Sequence, residues 1–205
     1  MLLLFETLKI EDGKIFNVKW HNKRLNKSRK ELFNLSTELD LLDYLTSPPS
    51  LGLYRCKVIY NETILSVEYF PYQAKLFKNF QIRPSQIRYD YKYLNREELE
   101  SLKNNPFDDV IIEKEGFLTD TSIANIAFYD RENWLTPKTP LLEGTTRARL
   151  LQKGFLKASP IKKEMIKNYT YFALMNSMIG FSIQKSVYLT DTKGITHVFR
   201  ESPKQ

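Results

Sequence analysis

The chain has 205 residues, 42% of them hydrophobic, and a formal net charge of +7 at pH 7. This length can bury a core in one large domain or two small ones, and the composition is typical of a globular protein. Charges interrupt the apolar runs, so we expect no membrane span and no export signal. Because Cys56 is the only cysteine, no disulfide can form within these residues, which fits a cytoplasmic location.

The positive charge does not by itself indicate a nucleic-acid partner. Basic residues are scattered and mixed with acids, and the chain shows no zinc-finger spacing and no RNA-recognition aromatic motif. A basic balance also suits a small anionic substrate and a phosphate cofactor. The two histidines, His21 and His197, lie far apart in the sequence, which argues against a histidine-based metal site. We therefore expect a small-molecule partner, with no nucleic acid, no membrane and no metal.

Residues 1–84 predict a small N-terminal domain. The hairpin signal Asp12-Gly13 separates two strands, and the following charged segment has apolar residues at helical spacing. Prolines 71 and 84 mark residues 71–86 as a connection. The expected strands are 2–10, 15–18, 51–60 and 63–69, and the expected helices are 21–35 and 38–45.

Residues 85–205 predict a larger domain that is rich in strands. Asn95 precedes a helix as an N-cap with glutamate at the third helical position, and Gly154 ends another helix as a C-cap. We expect an α+β fold. The expected strands are 109–113, 117–119, 123–129, 134–136, 171–175 and 186–190, and the expected helices are 95–103, 145–154 and 163–168.

Three segments carry groups that can do chemistry. Lys92 offers an amine, although a lysine between tyrosines is as often solvated surface. Asp120 offers a carboxylate shortly before Asn125 begins a strand, although a turn with capping side chains also explains this pattern. The run Gly144-Thr145-Thr146 offers N–H groups and hydroxyls to an anion, although a simple threonine cap also explains it. An amine, a carboxylate and an anion cradle are what pyridoxal 5'-phosphate requires from a protein.

In this order the segments resemble the class IV aminotransferases, a pyridoxal phosphate family that includes branched-chain and D-amino-acid aminotransferases and 4-amino-4-deoxychorismate lyase. The resemblance extends from Phe5-Glu6-Thr7 to about Gly180, and residues 21–28 are similar to the family's His-x-x-Arg-Leu-x-x-Ser helix. It implies a two-domain fold type IV enzyme, with a small N-terminal α/β domain and a larger β-rich C-terminal domain. It also implies a homodimer.

The resemblance further implies roles for individual residues. Lys92 would be the Schiff-base lysine, and Asp120 would be the acid at the ring nitrogen, next to the cofactor-binding Asn125. Arg55 lies in a segment that resembles a pocket strand of the family, and it would meet a substrate carboxylate if it faces the pocket. The residues implied to bind the cofactor phosphate are Arg24, Thr145, Thr146 and Ser177.

The resemblance favours 4-amino-4-deoxychorismate lyase, an enzyme of folate biosynthesis that eliminates pyruvate to give 4-aminobenzoate. Asn176-Ser177 and Phe5-Glu6-Thr7 look most like that enzyme. A transaminase acting on a small amino acid is one alternative, and a non-catalytic relative used for binding is another. The chain departs from the family in two respects. Asp120 stands where the family usually has glutamate, and the chain is short, mainly around residues 48–51.

Overall fold

The computed structural model describes residues 1–200, which form two compact units. The first unit comprises residues 1–74 and 91–95, and the second comprises residues 75–90 and the chain from Arg96 onward. Packing therefore divides the chain at other points than a linear boundary after residue 84. Strand 79–84 belongs to the second unit because it pairs there on both sides, and residues 91–95 belong to the first because they bond to its N-terminal strand.

The first unit is a four-stranded antiparallel sheet with one long helix, α1. The expected Asp12-Gly13 turn is confirmed, and both residues have positive φ angles, of 49° and 76°. The strand order is β2-β1-β3-β4. The elements are β1 (Leu4–Glu11), β2 (Lys14–Ile15), α1 (Val18–Phe33), a 3-10 turn (Leu41–Asp43), β3 (Leu53–Tyr60) and β4 (Ile64–Pro71).

The prediction of a helix over residues 38–45 is wrong, because only the 3-10 turn forms there. The side chains of Asn26 and Asn22 in α1 accept hydrogen bonds from the backbone N–H groups of Leu39 and Leu41, at 2.9 and 3.0 Å. These contacts take the place of helical hydrogen bonds, and the backbone of Asp40 is extended.

Side chains of β1 alternate between a buried face and an open face. Glu6, Leu8 and Ile10 are fully buried on the side of the core that includes Leu25 of α1. The neighbouring strand β3 follows the same alternation in register with β1, so both strands contribute to each face. The residues of the open face include Phe5, Thr7, Lys9, Arg55 and Lys57.

The second unit contains a ten-stranded sheet, with order β10-β9-β8-β7-β6-β5-β13-β14 and with β11 pairing β8 and β12. Its core includes Phe80, Phe128 and Phe172. The strands are β5 (Asn79–Pro84), β6 (Asp109–Lys114), β7 (Phe117–Thr121), β8 (Asn125–Tyr129), β9 (Trp134–Pro137), β10 (Leu156–Ser159), β11 (Tyr171–Asn176), β12 (Gly180–Ile183), β13 (Val187–Thr190) and β14 (Thr196–Phe199). The helices are α2 (Glu97–Ser101), α3 (Thr145–Gln152) and a 3-10 helix (Lys163–Asn168).

The interpretation of residues 71–86 as a connection is wrong for β5, which lies between β6 and β13 and runs parallel to both. Phe80 and Ile82 are buried and alternate with polar residues, but they are the only two buried residues of this six-residue strand, so its pattern in the sequence is short. Pro84 is tolerated because it is the last residue of the strand. Within residues 1–200, no helix has the length and hydrophobicity needed to cross a bilayer.

Candidate active site

The carboxylate of Asp120 is held in place by the short turn that joins β7 to β8. The hydroxyl of Thr121 accepts the N–H of Ala124 at 3.0 Å and closes this turn. Asp120 and Asn125 therefore lie opposite each other, and Asn125 Nδ2 donates to Asp120 Oδ1 at 2.8 Å. The backbone N–H of Leu142 donates to Oδ2, also at 2.8 Å. The side chain of Asp120 is thus fixed in one orientation.

Burial raises the pKa of Asp120 to about 6, against the effect of hydrogen bonds from Asn125 and Leu142 and of the positive charge of Arg147. Asp120 is only 3% exposed, so its ionised form is favoured when a further cation approaches it. Each oxygen of a carboxylate can accept more than one hydrogen bond, so a third donor can still be accommodated. A protonated pyridine nitrogen is both a cation and a donor, and Asp120 fits that group.

The raised pKa of Asp120 should make the stability of the cofactor-free protein depend on pH. Its folded pKa lies above its unfolded value, so the unfolded chain loses this proton first as pH rises. Asp120 therefore lowers the free energy of unfolding progressively between about pH 4 and pH 6. We expect Asp120→Asn to gain stability relative to wild type across that window. Urea denaturation of both proteins at pH 4, 5, 6 and 7 checks this, and a constant difference would contradict it.

The start of α3 lies in the same cluster. The N-cap residue, Gly144, has an extended backbone and makes no side-chain cap, and the first N–H groups of a helix have no intrahelical partner. Thr145 and Thr146 are buried, and the hydroxyl of Thr146 donates to the carbonyl of Asn176 at 2.9 Å. The side chain of Asn176 accepts the N–H groups of residues 178 and 179, which shapes the loop that carries Ser177. The predicted phosphate-binding residues of this unit therefore lie close together.

Gly144 is required because Asn125 leaves no room for a side chain. A Cβ atom at residue 144 would lie 1.9 Å from Asn125 Oδ1. We expect Gly144→Ala to displace Asn125, break its bond to Asp120 and weaken cofactor binding by about tenfold or more. In an Asn125→Ala background the same substitution should cost little, because the atom that it meets is gone. Cofactor titration of the two single variants and the double variant measures this coupling, and additive losses would contradict it.

Lys92 belongs to the first unit, where backbone hydrogen bonds hold its segment against β1. The N–H of Phe5 donates to the carbonyl of Lys92 at 3.0 Å, and the N–H of Leu94 donates to the carbonyl of Leu3 at 2.9 Å. The half-buried Lys92 side chain places its Nζ 4.4 Å from the centre of the Phe5 ring. The amine is thus positioned by its own backbone and by an aromatic neighbour on the open face of the sheet.

Arg24 is part of a buried cluster of charged groups. Its Nε and Nη2 donate to the two carboxylate oxygens of Glu6, at 2.8 and 2.6 Å, and His21 Nδ1 lies 2.6 Å from Glu6 Oε2. Burial opposes ionisation of Glu6, but the positive charge of Arg24 and these hydrogen bonds outweigh it and lower the pKa to about 2. Because an ionised carboxylate only accepts, Nδ1 of His21 carries the proton.

Burial also lowers the pKa of His21, and the charges of Arg24 and Lys92 act in the same direction against the hydrogen bond with Glu6. The imidazole is therefore neutral at neutral pH. Its Nε2 is buried and has no hydrogen-bond partner among residues 1–200. The charges of Arg24 and Lys92 therefore both disfavour protonation of His21.

The predicted site residues are divided between the two units. Asp120, Asn125, the two threonines at the start of α3 and the loop of Ser177 form one cluster in the second unit. Lys92 and Arg24 each contact a residue of β1 in the first unit. Arg55 is exposed on the open face of the sheet, with its guanidinium carbon 5.1 Å from the centre of the Phe70 ring.

Sequence reasoning did not single out Glu6, which pairs with Arg24, or Phe5, whose ring lies beside both Lys92 and Lys57. Glu6 did leave a signal, because it is an acid on the buried face of a strand between Leu4 and Leu8. A carboxylate at such a position requires a partner in the core. Phe5 and Lys57 left none, because their proximity to Lys92 depends on a contact between distant parts of the chain.

The chain is similar to known proteins over most of its length. The family model described as amino-transferase class IV matches residues 3–187. A Haemophilus influenzae protein named "Uncharacterized protein" is 37% identical over 187 residues, 88% of this chain and 100% of its own length. A crystal structure from Haemophilus somnus, of a "putative 4-amino-4-deoxychorismate lyase", has a TM-score of 0.80 at 33% identity and covers 88% of this chain and 98% of that one.

A Mycobacterium tuberculosis structure, of a hypothetical aminotransferase in its PLP-bound form, has a TM-score of 0.74 and covers 98% of this chain and 84% of that one. At 18% identity it shows the fold alone. The family match and the Haemophilus structure confirm the family and the α+β fold that the sequence motifs predicted. The chain belongs to the class IV aminotransferase family and is an enzyme with the fold type IV architecture of pyridoxal phosphate enzymes.

Proposed function

We propose that this protein uses pyridoxal 5'-phosphate to eliminate pyruvate from 4-amino-4-deoxychorismate, giving 4-aminobenzoate. The observation that supports the cofactor is the buried Asp120 carboxylate, which is held by Asn125 and Leu142 and has its pKa raised to about 6. The choice of reaction is supported by the name of the Haemophilus somnus structure, which is 33% identical to this chain.

The bound cofactor supplies an aldehyde that condenses with amines and a ring that draws electrons from the attached carbon skeleton. Lys92 would hold that aldehyde and later move the proton at the substrate carbon. Asp120 would keep the ring nitrogen protonated, and Asn125 would hold Asp120 in place. The residues proposed to bind the phosphate are Arg24, Thr145, Thr146 and Ser177.

Arg24 can take this role together with its bond to Glu6. Its Nε and Nη2 both donate to the Glu6 carboxylate. Glu6 would then hold the guanidinium in one orientation, and a planar group fixed on one edge presents a defined direction to an anion on another. The resemblance to the family is the basis for assigning that anion as the cofactor phosphate.

The proposed reaction is tested by measuring products after purification with the cofactor. Equal amounts of pyruvate and 4-aminobenzoate from 4-amino-4-deoxychorismate would support the lyase. Conversion of amino donors with 2-oxoglutarate, with no pyruvate released from 4-amino-4-deoxychorismate, would instead establish a transaminase on a small amino acid. A protein that binds the cofactor and performs neither reaction would be a non-catalytic relative.

We further propose a cytoplasmic homodimer, as the family resemblance implies, acting on a small anionic amino-acid-like substrate. A single cysteine, Cys56, fits a reducing compartment. Light scattering should give twice the chain mass of 24.2 kDa. A mass of one chain across the micromolar range would contradict the dimer.

A further inference from the structure

The open face of the first unit's sheet carries a cluster of cations. Lys9 on β1 and Arg55 and Lys57 on β3 point to the side opposite α1, since they alternate with buried residues of their strands. Register places Lys9 beside Arg55 and Thr7 beside Lys57. This face therefore has three cations on two neighbouring strands, before the amine of Lys92 is added.

The carboxylates on this face do not neutralise all of these charges. Lys9 forms an ion pair with Glu11 at 2.8 Å. Glu68 lies opposite Lys57 in the β3–β4 register, but the two side chains form no ion pair. Within residues 1–200, neither Lys57 nor Arg55 has a carboxylate partner, and each instead lies over an aromatic ring. Two cations of the open face thus lack an anion.

Lys57 and Lys92 share one aromatic ring. The Nζ atoms lie 5.9 Å and 4.4 Å from the centre of the Phe5 ring, respectively. The position of Lys57 follows from strand register, and that of Lys92 follows from the bonds between its segment and β1. Both side chains are half-buried, so the attraction between either ammonium group and a nearby anion is screened less than on an open surface. A carboxylate bound near the Phe5 ring would be attracted by both groups.

We propose that Lys57 binds a carboxylate of the substrate whose amine reacts at Lys92, while the Phe5 ring packs against the carbon skeleton between these two groups. This subsite rests on the proposed function, because Lys92 must be the reacting amine. The subsite would select amines whose carboxylate lies at the opposite end of a flat or cyclic apolar skeleton. The aromatic ring supplies apolar contact area, and the ammonium supplies the charge-assisted hydrogen bond.

Lys57 is favoured over Arg55 by its position along β3. Arg55 lies two residues further from Phe5, which is about 7 Å along a strand. It pairs in register with Lys9 on one side and Phe70 on the other, and its guanidinium lies over the Phe70 ring. A carboxylate placed near both Phe5 and Lys92 is therefore within reach of Lys57 first.

Two small ligands separate the contribution of charge from that of shape. 4-Aminobenzoate and 4-aminobenzamide differ at the carboxylate, and both can be titrated into the cofactor-loaded protein by calorimetry. We expect wild type to prefer the carboxylate. Lys57→Met should weaken 4-aminobenzoate by about 10- to 100-fold and leave the amide nearly unchanged, because only the charge-assisted bond is lost. Lys57→Arg should restore most of the preference.

Arg55→Met is the matched variant, since it removes a cation from the same strand and face. It should change the preference by less than about threefold, because its charge is further from the ring. Equal losses for both ligands in Lys57→Met, or a larger effect of Arg55→Met, would overturn the assignment. Borohydride trapping of the cofactor on Lys92 in the same preparations tests the proposed function separately. If the cofactor is trapped on Lys92 but Lys57→Met keeps the preference for 4-aminobenzoate over 4-aminobenzamide, the subsite is refuted and the proposed function is not.

Discussion

Lys92→Ala is expected to lose turnover by about ten-thousand-fold or more while the protein stays folded. The lysine amine is proposed both to hold the cofactor aldehyde and to move a proton, and removing one group with two roles removes both contributions. The fold should be retained because the segment is held through its backbone. The bonds from Phe5 N–H to the residue 92 carbonyl and from Leu94 N–H to the Leu3 carbonyl do not involve the side chain.

The readout for Lys92→Ala is the site of covalent attachment. Wild type treated with borohydride should carry the cofactor mass on the peptide that contains Lys92, and the variant should carry none. Lys162→Ala is a suitable control, since Lys162 is also a lysine over a phenylalanine ring, 5.8 Å from the centre of Phe117. It should keep both attachment and activity. A variant without Lys92 that is still labelled and active would refute the assignment.

The cluster around Asp120 could be predicted because its contacts are nearly local. Five positions separate Asp120 from Asn125, and the intervening turn closes on itself through Thr121. The bond from Thr146 to Asn176 joins segments 30 residues apart, but each segment has a loop or helix-start pattern of its own. Local turn chemistry and helix capping can be recognised in a sequence, so the motifs here indicated the local structure around Asp120.

The first unit's contribution was less predictable, because it depends on long-range register. Strand alternation shows that Arg55 and Lys57 share a face, but it does not show which of them lies near Phe5. That depends on the pairing of β1 with β3 and on the return of residues 91–95 to β1. The role of Glu6 likewise appears only when α1 packs over the sheet and brings Arg24 and His21 to it.

Glu6→Gln is expected to reduce the free energy of unfolding by about 3–5 kcal/mol at pH 7, because it leaves Arg24 buried without its anion. Glu6 is fully buried and the side chain of Arg24 is only 13% exposed, so water cannot replace the lost charge well. Since Arg24 is also the proposed phosphate ligand, cofactor affinity should fall with stability. Urea denaturation and cofactor titration measure the two effects.

Glu100→Gln is the matched control for Glu6→Gln. Glu100 also accepts a hydrogen bond from an arginine, Arg96 Nη2 at 2.9 Å, but its side chain is 46% exposed. An exposed pair of this kind contributes about 0–1 kcal/mol. A loss for Glu6→Gln as small as that for Glu100→Gln would show that the buried cluster does not stabilise the first unit.

The pH dependence shows whether the charge of Glu6 or only its shape is responsible. The folded pKa of Glu6 is about 2, below the ordinary value of 4.5, so the folded state favours the ionised form. Its contribution to stability is fully present above about pH 4.5 and is lost as pH falls towards 2. Protonated glutamate and glutamine have nearly the same shape, so wild type and Glu6→Gln should converge at low pH. We expect the difference in unfolding free energy to fall by roughly half between pH 7 and pH 3. A difference that is equal at both pH values would assign the effect to shape alone.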